Sequence, residues 1–149
     1  MCIFFQRAPC FLCQISHLLN LRTLKDLMNN NYSQDCIASL NYYALQLRID
    51  SIRATAASKS GHPTSCLSIA DIIAALFFYQ MKYDTTNPHV ENNDRVILSK
   101  GHAIPVVYAA WKQLGVISDE QLMELRSSNS PLEGHPTFCM GSCKLCRFQ

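Results

Sequence analysis

Arg95-Val-Ile-Leu-Ser-Lys-Gly-His-Ala-Ile-Pro105 is the stretch that decides the fold class. Arg95 to Ser99 is a short apolar run bounded by polar residues, and it suits a buried parallel strand better than a helix. Lys100-Gly101-His102 then makes a tight turn. Pro105 fits the first position of the next helix, where its missing N–H leaves nothing unsatisfied. Strand, turn and helix in this order are a unit of an open α/β sheet. Such sheets bind ligands beyond the C-terminal ends of their strands. The helix runs to about Leu114, and Gly115 follows as a natural left-handed C-terminal residue. Ser118 and Gln121 form a capping box for one more helix, with Asp119 and Glu120 in its first turn. That helix fades near Ser127.

Toward the N-terminus, Asn29-Asn-Asn31 is a polar break, and the domain starts just after it. Ser33 is an N-cap residue. Leu45, Ile49, Ile52 and Ala56 recur at helical spacing, with Leu40, Ala44 and Leu47 on an adjoining face. They predict a long amphipathic helix from about Ser33 to about Ser58. Glycine and proline in Ser60-Gly61-His62-Pro63 end it. A second helix is expected to begin near Ser65 or Ser68, where Ser68 and Asp71 have capping-box spacing. Ile69, Ile72, Ile73 and Leu76 form its apolar stripe, thickened by Phe77, Phe78 and Met81. Tyr83 to Asn93 reads as a loop.

The chain has 149 residues, enough for one domain with a core. Its 48% hydrophobic and 16% charged residues give a soluble globular balance. A net charge of +2 without a basic run gives no sign of a nucleic-acid partner. No stretch reads as long and apolar enough to span a bilayer, so no membrane role is expected. Cys2, Cys10 and Cys13 lie at one end, Cys139, Cys143 and Cys146 at the other, with only Cys36 and Cys66 between. That is not a disulfide scaffold, and it points to a reducing compartment, the cytoplasm. Residues 1–32 read as a leader. Its first 25 residues hold no acid and carry Arg7, Arg22 and Lys25, a weak likeness to a transit peptide. A leader without a targeting role is the preferred reading.

Three histidines sit in loops at element edges: His62 in Ser60-Gly-His-Pro-Thr-Ser65, His102 in Ser99-Lys-Gly-His-Ala103, and His135 in Glu133-Gly-His-Pro136. Glycine allows close approach and proline fixes chain direction, so each imidazole is aimed. His102 precedes a helix N-terminus, which favours a phosphate. It either donates a hydrogen bond to such an anion or merely caps its turn, and the residues alone leave both open.

Leu47-Arg-Ile-Asp-Ser-Ile-Arg-Ala-Thr55, Ser60-Gly-His-Pro-Thr-Ser-Cys66, Leu76-Phe-Phe78, Asn93-Asp-Arg95, Leu98-Ser-Lys-Gly-His-Ala103, Tyr108-Ala-Ala-Trp111 and Leu132-Glu-Gly-His-Pro136 together resemble the opening of an animal-type transketolase. Order and spacing agree across several independent motifs over roughly residues 40 to 136. The resemblance implies an α/β fold: the incomplete N-terminal part of a doubly wound thiamine diphosphate-binding domain at 33–136, mostly helical here. It implies transfer of a two-carbon ketol unit from a ketose phosphate to an aldose phosphate, in the pentose phosphate pathway. The implied cofactors are thiamine diphosphate and magnesium, and the implied partners are sugar phosphates and a second identical subunit. By the same resemblance His62 and His135 are catalytic and bind the sugar, while Ser65 and His102 contact the cofactor. Glu133 stands where the family usually has Asp.

After Pro136 no family motif is visible, and 137–149 reads as a Cys-rich divergent tail. The family's magnesium-binding Asp and Asn, and the Glu that activates the cofactor, have no counterpart here, so no metal ligand is assigned. This chain alone is therefore expected to lack ketol transfer and to fold marginally around a single strand. A truncated partner of a full-length subunit is the alternative; sister thiamine diphosphate enzymes are disfavoured by the Ser-Gly-His-Pro-Thr-Ser and Ser-Lys-Gly-His-Ala pair. Cys10-Phe-Leu-Cys13 and Cys143-Lys-Leu-Cys146 have zinc-pair spacing, but they lie at opposite ends and outside the resemblance.

Overall fold

A computed structural model of the chain describes residues 32–87 and 92–135 with their side chains, and the backbone of 3–6 and 146–147. The proposed C-x-x-C pairs, apart from the Cys146 backbone, and most of the leader and tail lie outside these residues. Helices dominate: α1 (Gln34–Ala57), α2 (Pro63–Ala75), α3 (Ile104–Gln113) and α4 (Asp119–Met123). They are joined to strands β1 (Ile3–Gln6), β2 (Arg95–Leu98) and β3 (Cys146–Arg147).

The expected boundaries of α1 hold. The Ser33 hydroxyl accepts from the Cys36 N–H at its start, and Ser58 ends it. Its buried face is a correction. Leu45, Ile49 and Ile52 are exposed, whereas Ala44, Leu47, Ser51, Ala54 and Thr55 are buried. Small side chains let α2 and α3 approach the α1 backbone closely, and branched ones would hold them off. Ser51 and Thr55 are satisfied within the helix by donating to the Leu47 and Ser51 carbonyls.

Helix α2 begins at Pro63, earlier than the expected Ser65 or Ser68. Proline's fixed φ suits a first helical position, and His62 occupies the N-cap. Ser68 is inside the helix and donates back to the Ser65 carbonyl, so it caps nothing. Helix α2 continues into a π turn, Leu76–Gln80, closed by the Met81 N–H on the Leu76 carbonyl at 2.9 Å. Together they make an 18-residue helix apolar enough to cross a membrane by length and composition, contrary to the sequence expectation. Ile69, Ile73 and Phe77 are buried within the chain, while Ile72 and Tyr79 are exposed.

Asn93 and Asp94, both buried, latch the loop after the π turn. The Lys82 N–H donates to the Asp94 carboxylate at 2.8 Å, and the Asp84 N–H donates to Asn93 Oδ1 at 2.9 Å. That family-like motif therefore anchors the entry to β2. The strand itself pairs on both sides: antiparallel to β1, Phe4 opposite Ile97, and parallel to β3, Ile97 opposite Arg147. The expected single unpaired strand is thus corrected. Unpaired N–H and C=O groups on a strand edge recruit any β-prone segment in reach, and Ile3-Phe-Phe-Gln6 is one. Val96 and Leu98 point into the core with Val106, Val107, Tyr108 and Trp111 of α3.

Candidate functional site

The three loop histidines converge. His62 leads into α2, and His102 lies in a 3-10 turn (Gly101–Ala103) between β2 and α3. Their rings meet edge to face, with centroids 5.2 Å apart. His135 packs over Gly101, where an added Cβ would stand 3.0 Å from its Cδ2. An open cleft with a cavity volume of about 30 Å³ runs between Ser60, His62, His102, Arg126 and His135. That is room for little more than a water molecule. Ser65 is not among the lining residues; it sits in the first turn of α2.

Local chemistry sets each loop. Gly61 has φ +121°, and a Cβ there would come within 2.8 Å of Thr55 Cγ2, so glycine alone permits this path. Buried Tyr108 donates its hydroxyl to the Glu133 carbonyl at 3.0 Å and fixes the Gly134-His135 loop. Buried Cys66 donates to the Ala103 carbonyl at 3.7 Å, tying α2 to the His102 turn. Burial pushes that thiol's pKa up, which makes it a packing group and not a nucleophile. Neither α2 nor α3 has a side-chain cap; the Ser65 and Cys66 N–H groups turn back to the His62 carbonyl, and the Ile104 N–H to that of Gly101.

Partial burial holds the His102 pKa below the ordinary histidine value, and the positive charge of His62, Lys100 and His135 adds to this. The folded state thus favours neutral His102. Its contribution to stability is present above the unfolded pKa of about 6.5 and is lost as pH falls through the folded value. An NMR titration is expected to place its midpoint below 6.5, and His62→Ala to raise it. A midpoint at or above that value would refute the clustering of charge.

Arg126 was not foreseen from the sequence. It belongs to no motif, and only its position in space brings its guanidinium into the cleft, where Nη1 donates to Ser60 Oγ at 2.5 Å.

Residues 40–143 match the family model described as transketolase, thiamine diphosphate binding domain. The chain belongs to that family. It is 56% identical over 94 residues to transketolase-like protein 2 of Bos taurus, covering 63% of this chain and 15% of that protein. To the Mus musculus transketolase-like protein 2 it is 52% identical over 103 residues, covering 69% of this chain and 16% of the relative. To Homo sapiens transketolase it is 48% identical over 103 residues, with the same coverage of 69% and 16%. The chain thus spans about 15–16% of the length of the curated relatives it matches. The match covers all three histidine loops and Arg126.

The residues present fit the anionic part of thiamine diphosphate. His102, whose neutral imidazole can donate a hydrogen bond, lines the cleft together with the Arg126 guanidinium. Among the described residues no group of three or more His, Cys, Asp or Glu could hold a metal ion.

Proposed function

We propose that this chain supplies one wall of a transketolase site, with the cofactor's diphosphate at His102 and the sugar at His62 and His135. The convergence of three loop histidines on one cleft carries the reading. The bound cofactor would supply the carbanion that attacks the ketose carbonyl. The chain's own residues bind, orient and move protons. His102, neutral, donates to a diphosphate oxygen. Ser65 offers a hydroxyl to the same ligand from α2. His62 hydrogen-bonds sugar hydroxyls and shuttles a proton as charge develops, while His135 fixes the sugar's approach. The doubly wound α/β class, a cytoplasmic location, magnesium and a cofactor shared between two subunits belong to this same reading.

The test is ketol transfer from a ketose phosphate to an aldose phosphate, with thiamine diphosphate and magnesium added, by a protein that joins this domain to the family's magnesium-binding and cofactor-activating residues; this chain alone is expected to show none. Cofactor affinity is measured beside it by calorimetry. His102→Ala is expected to weaken cofactor binding by about tenfold or more, the loss of one hydrogen bond to a charged group. Unchanged affinity in His102→Ala, with a loss in His62→Ala, would reverse the two roles.

A further inference from the structure

Arg126 has a backbone conformation that arginine rarely adopts, φ +63°. The Leu132 carbonyl holds it there by accepting the Arg126 N–H at 2.8 Å. Non-glycine residues persist in this region when their surroundings enforce it, and they cluster at functional sites. The side chain supplies a second, independent observation. Its Nη1 donates to Ser60 Oγ at 2.5 Å, and the guanidinium fills the space where Gly134 lacks a Cβ; an added Cβ would collide with its Nε and Cζ. Ser60 is joined in turn to α1, because the Ser58 hydroxyl donates to the Ser60 carbonyl at 2.8 Å. Arg126 therefore touches the residue two before His62 and the residue directly before His135. It lies across both loops, and Leu125 beside it is buried as an anchor.

We infer that Arg126 is a positioning residue that sets the separation of the His62 and His135 loops through Ser60 and Gly134. The inference rests on reading this cleft as the sugar-side site. A planar fork suits the task better than a flexible ammonium, since its donors keep a fixed angle to Ser60 while its flat face lies against Gly134.

The test uses three variants, with ketol transfer read in a protein that joins this domain to the family's magnesium-binding and cofactor-activating residues. Arg126→Gly suits the left-handed backbone, so it relieves strain and removes the fork together. Arg126→Lys keeps the charge without the fork, and Ser60→Ala removes the acceptor. Thermal unfolding of Arg126→Gly is expected at or above the unaltered temperature. The imidazole NMR signals of His62 and His135 are expected to move in Arg126→Gly and Arg126→Lys, and that of His62 in Ser60→Ala. Ketol transfer in Arg126→Gly is expected to fall by about 10- to 100-fold through misplacement, with cofactor affinity unchanged. Arg126→Gly with Ser60→Ala should cost less than the sum of the two. Unmoved imidazole signals in a folded Arg126→Gly overturn the inference, whether or not the protein shows ketol transfer. Moved signals without ketol transfer in the unaltered protein uphold Arg126 and refute the functional reading instead.

Discussion

In a protein that joins this domain to the family's magnesium-binding and cofactor-activating residues, replacing His62 by alanine is expected to slow ketol transfer by about 10²- to 10⁴-fold, the usual worth of a positioned proton donor or acceptor. Cofactor affinity should stay near that of the unaltered protein. The reason is geometric. His62 stands at the N-cap of α2 without bonding the helix through its side chain, so its ring is free to serve the sugar. His102 lies behind it, its ring edge to face with that of His62. Steady-state rates beside calorimetric cofactor titrations separate the two. A fall in cofactor affinity as large as the fall in rate would place His62 on the diphosphate.

The largest loss of stability is expected from Lys112→Met. Asp50 is 1% exposed, and its carboxylate accepts from Lys112 Nζ at 3.0 and 3.2 Å, from Gln113 Nε2 at 2.7 Å and from Arg53 Nη1 at 3.2 Å. Arg53 also forks onto Asp119 at 2.9 and 2.7 Å. One buried carboxylate therefore joins α1 to α3, and Arg53 extends the junction to the start of α4. Removing Lys112 leaves that charge to Gln113 and the half-exposed Arg53, at a cost of about 1–3 kcal/mol. The double variant Asp50→Leu with Lys112→Met should recover most of it, since an apolar pair of similar volume is often neutral. Denaturant unfolding measures both. A double variant as unstable as the single one would show that the junction acts through shape and not through charge.

The sequence made the histidine loops legible because each imidazole is bracketed by glycine or proline, and such brackets leave the backbone few paths. It also showed the ends of α1, where Ser33 and Ser58 act locally. The buried face of α1 was misread because a stripe of Leu45, Ile49 and Ile52 looks more like a core than Ala44, Ser51, Ala54 and Thr55 do. Which stripe is buried depends on how near the neighbouring helices come, and spacing along one helix does not contain that. Asp50 and Arg126 were missed for a related reason: their partners lie 62 and 66 positions away, at Lys112 and Ser60. The pairing of β2 with β1 joins segments still farther apart, Phe4 with Ile97.

The π turn at Leu76–Gln80 has a consequence for insertions and deletions. A π turn holds one residue more than the α-helix it interrupts. Deleting one residue of 77–80 would make the Met81 bond to Leu76 an ordinary α-helical one and keep the chain after it in phase. Met81 and Tyr83 would stay on the core, and the Lys82 N–H would still reach Asp94, so the entry to β2 would keep its latch. A one-residue deletion beside exposed Tyr79 should therefore damage the cleft less than the same deletion within Pro63–Ala75, which would turn everything after it by about 100°, one helical step.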